Sequence, residues 1–292
     1  MDALKLTGRG PMRIENIEPD VLMFVGDSYE SVATAFVRDA DVLLVDTLAS
    51  RADAEWMRRC LVEDMGKTVR TIIATHYMND HMAGMQLYPE AQIIAQRYFR
   101  YTFQTQRQRS ALQDEEFVDP TVVFGDTLSL QWGRHDLRLF HNPGKTMCLI
   151  NIDAPSCDAV FAGDNIVGNI VYLSRSSPEM IDQAIARLQV LQRGRVIGGH
   201  MGIFPRLTLN NARHYLRSLR ETTIDIYRTH PADRAFRAIQ AIAIESCLAP
   251  GVVPAAFERE WHGRNLGVLV DQDTFKLDVA QETALASRSS DA

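Results

Sequence analysis

Three of the eight histidines directly follow short apolar runs: His76 after Val69–Ala74, His141 after Leu137–Phe140, and His200 after Arg195–Gly198. His81 lies five residues past His76. Two aspartates share this placement, Asp80 in the same stretch and Asp164 after Val160-Phe161-Ala162-Gly163. Imidazoles and carboxylates gathered at strand ends are the donors that a hard or borderline divalent ion takes. Any one of these residues alone would read as a turn or a strand-end side chain. The ordered set of His76, Asp80, His81, His141, Asp164 and His200 points to a divalent metal centre. The remaining histidines, His135, His214, His230 and His262, stand in polar turn or helix contexts and read as solvated.

The elements needed to carry these residues are legible in the spacing. Val21–Val25, Thr34–Val37 and Val42–Asp46 are apolar runs punctuated by turn residues, as strands are. Ala52–Met65 repeats apolar residues at helical spacing and stops at Gly66. Val69–Ala74 and Ile93–Ala95 return to strand character, and Tyr98 to about Gln108 reads as a polar helix. Strands follow at Thr121–Phe124, Leu128–Trp132, Leu137–His141, Cys148–Ile152 and Ala159–Ala162. Ser177-Pro178-Glu179 is a helix start, with Ser as N-cap and Pro in the first turn, for a helix running to about Gln192. After the strand Arg195–Gly198 come two amphipathic segments, Leu207–Arg228 and Ala235–Cys247. Two strand clusters separated by helices suggest two packed sheets with helices outside, an α/β class fold. The expectation is one domain over residues 1–280, with a helical extension over about 207–280 and a disordered tail at 283–292.

Five stretches together resemble the metallo-β-lactamase superfamily, over roughly residues 15–275. Thr75-His76-Tyr77-Met78-Asn79-Asp80-His81 is similar to its T-H-x-H-x-D-H loop, and Asn142-Pro143-Gly144-Lys145-Thr146 to its P-G-H-T turn. Phe161-Ala162-Gly163-Asp164 resembles its F-x-G-D strand end, Gly198-Gly199-His200 its final G-H, and Asp46-Thr47 its early D-T. The resemblance implies an αββα sandwich with a two-metal site at one edge of the sheets. It also implies that one metal is held by the loop histidines and the turn histidine, the other by the D-H pair and the final histidine, with the F-x-G-D aspartate between them. This chain departs twice, at Met78 and at Lys145, and both departures fall in the first half of the site. A thioether is a weak ligand for zinc, and an ammonium beside a divalent ion is repulsive.

The expectation is therefore a single divalent ion, zinc or iron, in the complete half formed by Asp80, His81, Asp164 and His200. Lys145 then stands in for the second metal, acts as an acid or base, becomes carbamylated, or simply plugs the pocket. Met78 reads as packing. Lys145, Asp80 and His76 are the candidate catalytic residues, and Tyr77 and His141 the candidate substrate contacts. The family's hydrolysis of a small-molecule ester, lactone, amide or thioester is the leading activity, because a metal acidifies water for attack on a carbonyl or phosphoryl centre. Asp80, His81 and His200 also match the two-histidine, one-carboxylate set of non-haem iron oxygenases, which is the second reading. A catalytically degenerate binding protein is the third.

Composition sets the outer limits. The 292 residues are 46% hydrophobic and 23% charged, with a net charge of -6, ordinary for a globular chain and without the basic stripe of a nucleic-acid binder. No run approaches a membrane span, and Met1–Ile14 lacks an apolar signal core. Cys60, Cys148, Cys157 and Cys247 match neither a zinc knuckle nor a disulfide framework, which favours a reduced, cytoplasmic setting. The segments Tyr98–Phe117 and Gly168–Ser177 would shape a substrate pocket, and Arg97, Arg100 and Arg107 either meet an acidic substrate or lie on a solvated helix face. Leu207–Arg228 and Ala235–Cys247 form a homodimer interface or cover one sheet.

Overall fold

The computed structural model describes residues 12–106, 117–173, 176–272 and 274–276. Arg107, parts of both pocket-shaping segments and the expected tail at 283–292 lie outside the described residues.

The chain builds one sheet and then the other. The first has seven strands in sequence order: β1 Arg13–Glu18, β2 Val21–Val25, β3 Val32–Arg38, β4 Asp41–Val45, β5 Thr68–Ile73, β6 Gln92–Gln96 and β7 Val122–Phe124. The second has six: β8 Thr127–Trp132, β9 His135–His141, β10 Ile150–Ala154, β11 Ala159–Gly163, β12 Arg195–Gly198 and β13 Ile203–Pro205. Strands β1 to β4 pair antiparallel, whereas β4 to β7 run parallel, as do β11 and β12. Parallel strands deliver polar residues at their carboxyl ends, which is where Thr75-His76, Asp164 and His200 emerge.

The two sheets meet over an apolar layer that includes Phe36, Leu43, Val45, Ile73, Leu139, Ile152, Phe161 and Ile197. Trp132 Nε1 donates across the sheets to Phe36 O at 2.9 Å. Every residue of β10 and of β11 is buried, because each strand is covered on both faces. On the outer face of the first sheet lies α1 Arg51–Arg58, started by the Ser50 side chain accepting from Asp53 N. The expected helix over Ala52–Met65 does not stay regular: residues Arg59–Asp64 widen into a π-type turn before Gly66, at φ +63°, ends it. Two more helices, α2 Asn79–Met82 and α3 Phe99–Gln106, follow on this face.

The second sheet is covered by α4 Pro178–Val190, α5 Leu207–Thr229, α6 Ala232–Gln240, α7 Ile244–Cys247 and α8 Ala256–Asp271. Leu209, Ala212, Tyr215, Leu216 and Leu219 of α5 share one apolar cluster with Val160, Ala162 and Val196 of the second sheet, so that helix covers the sheet. The expected helix over Ala235–Cys247 is broken between α6 and α7. Ile242 O there accepts from His262 Nε2 at 2.9 Å instead of from a helical amide. Helix α8 lies in the expected helical extension but was not read as an individual helix. Its buried positions, Glu258, Trp261, His262, Asn265, Leu266 and Leu269, keep helical spacing, but half of them are polar, so no apolar stripe reveals it.

Two histidines expected to be solvated are core residues. His135 donates and accepts between Ser156 Oγ at 2.7 Å and Asp20 Oδ2 at 3.1 Å, and its ring packs edge-on against Phe36. His262 accepts from Tyr215 Oη at 2.8 Å while donating to Ile242 O, which fixes one neutral tautomer, and burial lowers its pKa. His230 is exposed, as expected. All four cysteines are buried free thiols. Among the described residues, no helix is long and apolar enough to cross a membrane.

Candidate metal centre

Strand β4 ends at Val45, and the next residue, Asp46, is held at φ +58° with its carboxylate turned toward the end of β5. Asp46 Oδ1 accepts from Thr75 N at 2.8 Å, and Oδ2 accepts from Thr75 Oγ1 at 2.7 Å. The same Oδ2 lies 3.1 Å from His81 Nδ1. His81 therefore donates from Nδ1 and turns Nε2 inward, the orientation that metal-binding imidazoles use. His200 is set the same way, its Nδ1 donating to Tyr29 O at 2.8 Å. His76 Nδ1 lies 3.0 Å from Thr75 Oγ1, whose proton is already given to Asp46, so His76 also presents Nε2 to the centre.

Asp80, His81, Asp164 and His200 each offer one donor atom, all within 4.8 Å of one another. Asp164 Oδ1 lies 3.2 Å from His81 Nε2 and 3.4 Å from His200 Nε2, and Asp80 Oδ2 lies 3.4 Å from His200 Nε2. His76 Nε2, His81 Nε2, His200 Nε2 and Asp164 Oδ1 are buried without a hydrogen-bond partner. Buried polar atoms are rarely left so, and those of His81, His200 and Asp164 converge, with Asp80, as the donor types of a divalent ion. The residues present fit such an ion. Gly199 is part of that fit: a Cβ there would come within 2.0 Å of Asp164 Oδ1.

The other half of the centre is filled by Lys145. Its ammonium is ion-paired with Asp164 Oδ2, and its side chain is 1% exposed. The turn bearing it is braced by three buried asparagines. Asn142 Nδ2 donates to Asn151 Oδ1 at 2.7 Å, Asn165 Nδ2 to the same oxygen at 3.0 Å, and Lys145 N to Asn165 Oδ1 at 3.3 Å. Gly144 admits this packing, since a Cβ would lie 2.0 Å from Asn165 Oδ1.

Charge within the cluster follows from burial and pairing. Burial pushes Asp164 up, but Lys145, His81 and His200 outweigh it and hold its carboxyl well below the usual range. Burial disfavours charge on Lys145 as well, yet Asp164 and Asp80 raise its pKa and keep it an ammonium. His76 is lowered by burial and by His81, whereas Asp164 and Asp80 raise His81 against the same burial.

The other expected residues lie apart from this cluster. Tyr77 and Met78 pack in the apolar layer outside the first sheet, Tyr77 with its ring 6.5 Å from that of Phe103. His141 Nε2 donates to Met147 O at 2.7 Å. Arg97 stacks on Tyr98, and Arg100 pairs with Asp119. The sequence reading missed the aromatic wall over the lysine half. Lys145 Nζ lies 5.2 Å from the Tyr172 ring and 5.7 Å from the Trp261 ring, and Phe257 packs 5.4 Å from His200. Two of these three belong to α8, the helix without an apolar stripe.

Residues 29–221, well over half of the chain, match the family model of the metallo-beta-lactamase superfamily. The chain belongs to the metallo-beta-lactamase superfamily. Members of this superfamily are mostly hydrolases, and the two-sheet sandwich described above is their fold. Solved structures agree at the level of fold. A metallo-beta-lactamase from Pontibacter korlensis superposes with a TM-score of 0.58 at 15% identity, over 68% of this chain and 95% of that one. A metallo-beta-lactamase from Erythrobacter litoralis gives 0.56 at 16% identity, over 69% and 94%. The stereoselective inverting sec-alkylsulfatase Pisa1 from Pseudomonas sp. gives 0.65 at 13% identity, covering 89% of this chain but only half of its own length. No sequence among the curated proteins matches significantly.

Proposed function

We propose that this superfamily member is a metal-dependent hydrolase of a small-molecule ester, lactone, amide or thioester. In this reading Asp80, His81, Asp164 and His200 hold one zinc ion, and Lys145 takes the place of a second. The observation that supports it is the ammonium of Lys145, ion-paired with Asp164 on the side away from the four-donor cluster. The ion would supply Lewis acidity toward the scissile carbonyl and acidify an attacking water.

Lys145 adds a fixed positive charge beside the reacting centre. Buried and already paired, it needs no reorganisation to meet an oxygen that gains charge during the reaction. His76 Nε2, 3.4 Å from Asp164 Oδ2 and without a hydrogen-bond partner, is the proton acceptor available in the lysine half. Asp80 keeps 15% side-chain exposure where the three other cluster members are fully buried, so substrate approaches from its side. The second reading, iron oxygen chemistry, is disfavoured by the donor set: two imidazoles with two carboxylates, rather than with one.

The test is turnover by zinc-loaded protein against lactones, thioesters, aryl esters and amides. Alkyl sulfates join the panel because an alkylsulfatase shares the fold. The expected result is hydrolysis of at least one class, lost on chelation, regained with zinc, and strongly reduced in Lys145→Ala at unchanged metal content. Oxygen consumption by iron-loaded protein without any hydrolysis would replace this reading with an oxidoreductase. Neither turnover nor metal uptake would leave a binding protein.

A further inference from the structure

Helix α8 carries polar residues on a face that a covering helix ordinarily fills with apolar ones. Glu258 and Asn265 stand two turns apart on that face, with Trp261 between them, and are 1% and 0% exposed. Buried polar groups need partners, and both find theirs in one place, the segment 168–173 that follows Asp164. Glu258 Oε1 accepts from the backbone N of Asn169 and, at 3.0 Å, from its Nδ2, while Oε2 accepts from Ala255 N at 2.7 Å. Asn265 Oδ1 accepts from Leu173 N at 2.7 Å. Its Nδ2 donates to Val171 O at 2.7 Å and to Tyr215 Oη at 2.9 Å. Only the oxygen of that amide can accept from Leu173 N, so the side chain has one orientation. Asn265 therefore grips the backbone on both sides of Tyr172.

What is held in this way is the Tyr172 ring. It lies 5.2 Å from Lys145 Nζ and meets the Trp261 ring edge-on at 4.4 Å. The Trp261 ring is itself 5.7 Å from the same ammonium. Both separations fall within the roughly 6 Å over which an aromatic face attracts a cation. Arg264, paired with Glu260, also stacks on Trp261, so Tyr172 is the ring to vary. A divalent ion is fixed by its ligands, whereas a lysine head on its flexible stem is fixed only by what surrounds it. Rings packed on the ammonium exclude water and keep its charge in one place.

We propose that Glu258 and Asn265 are positioning residues of the lysine half: by gripping segment 168–173 they hold Tyr172 against the Lys145 ammonium. The proposal rests on the lysine-for-metal reading for its purpose. It adds that the replacement depends on helix α8, which lies beyond residue 221, where the family match ends.

The chain has four lysines, Lys5, Lys67, Lys145 and Lys276, so selective ¹³C labelling of lysine gives four Cε–Hε signals, with Lys145→Met assigning the relevant one. An aromatic face shifts the protons above it upfield. In the zinc-loaded full-length protein the Lys145 Hε signal lies upfield of the other three, and in Tyr172→Leu it moves back toward them. Asn265→Leu and Glu258→Ala move it the same way, although the lysine and both rings are intact. Glu258→Gln keeps an acceptor for Asn169 and restores the upfield position. Leu269→Ala removes core packing from the same helix but no hydrogen bond to the segment, and leaves the signal in place. Circular dichroism checks the fold of each variant, and where one truncation does not fold, the other position decides. A wild-type signal among the other three, no movement in Tyr172→Leu, no movement in the α8 truncations, or equal movement in Leu269→Ala overturns the proposal. Metal content is measured on the same samples. If wild type takes up no ion, the lysine-for-metal reading fails, and the signal of the metal-free protein still decides the role of Glu258 and Asn265, because every group in the contact belongs to the chain.

Discussion

Lys145→Met removes the ammonium while keeping a side chain of similar length. Lys145 and Asp164 have side-chain exposures of 1% and 0%, so neither charge is shared with solvent. Removing Lys145 leaves the Asp164 carboxylate buried with only imidazole rings, those of His81 and His200 foremost, to compensate it, a loss of up to about 3–5 kcal/mol. The exposed pair Arg51–Glu55, at 56% and 52% side-chain exposure, is the internal control: Arg51→Ala should cost under about 0.5 kcal/mol. Urea unfolding in chelator, followed by circular dichroism and extrapolated to water, measures both. Saturating zinc should then rescue Lys145→Met more than wild type, since the ion becomes the main countercharge of Asp164. A loss below about 1 kcal/mol in chelator, similar to the Arg51 control, would refute the reasoning that Lys145 is the fixed partner of Asp164.

Asp46→Asn should leave the fold intact but lower zinc affinity about 10–100-fold, measured by competition with a chromogenic chelator, because Asp46 orients His81 through Nδ1. Asp20→Asn should show a pH-dependent deficit. The Arg134 guanidinium, with help from His135, holds the Asp20 carboxyl at about 2, below its ordinary value of 3.8. A depressed carboxylate stabilises the fold above its unfolded pKa, and that contribution fades as pH falls from about 4 toward 2. The wild-type advantage over Asp20→Asn, about 1 kcal/mol after allowing for the partly exposed site, should be constant near neutrality and shrink in acid. A difference that grows in acid would contradict the assignment.

What was legible in the sequence follows a physical pattern. Most strands of both sheets announced themselves, because buried strands such as Val42–Val45 are continuous apolar runs, whereas the edge strands β1 and β13 were not read. The donor cluster was readable because its spacing is carried by turns, which local sequence specifies. Helix α8 was not readable, since Glu258, His262 and Asn265 occupy half of its buried face. Trp261 was lost with it. His135 and His262 looked solvated because their immediate neighbours are polar, while the partners that bury them, Phe36, Ser156 and Tyr215, come from distant strands and helices. The bracing of Lys145 by Asn151 and Asn165 was hidden for the same reason: asparagines carry no periodicity, and only the closed turn shows what they hold.

The most direct test of the lysine-for-metal substitution is the metal content per chain of protein purified without added metal, by inductively coupled plasma mass spectrometry. Wild type should hold one ion. Two ions in wild type would contradict the account.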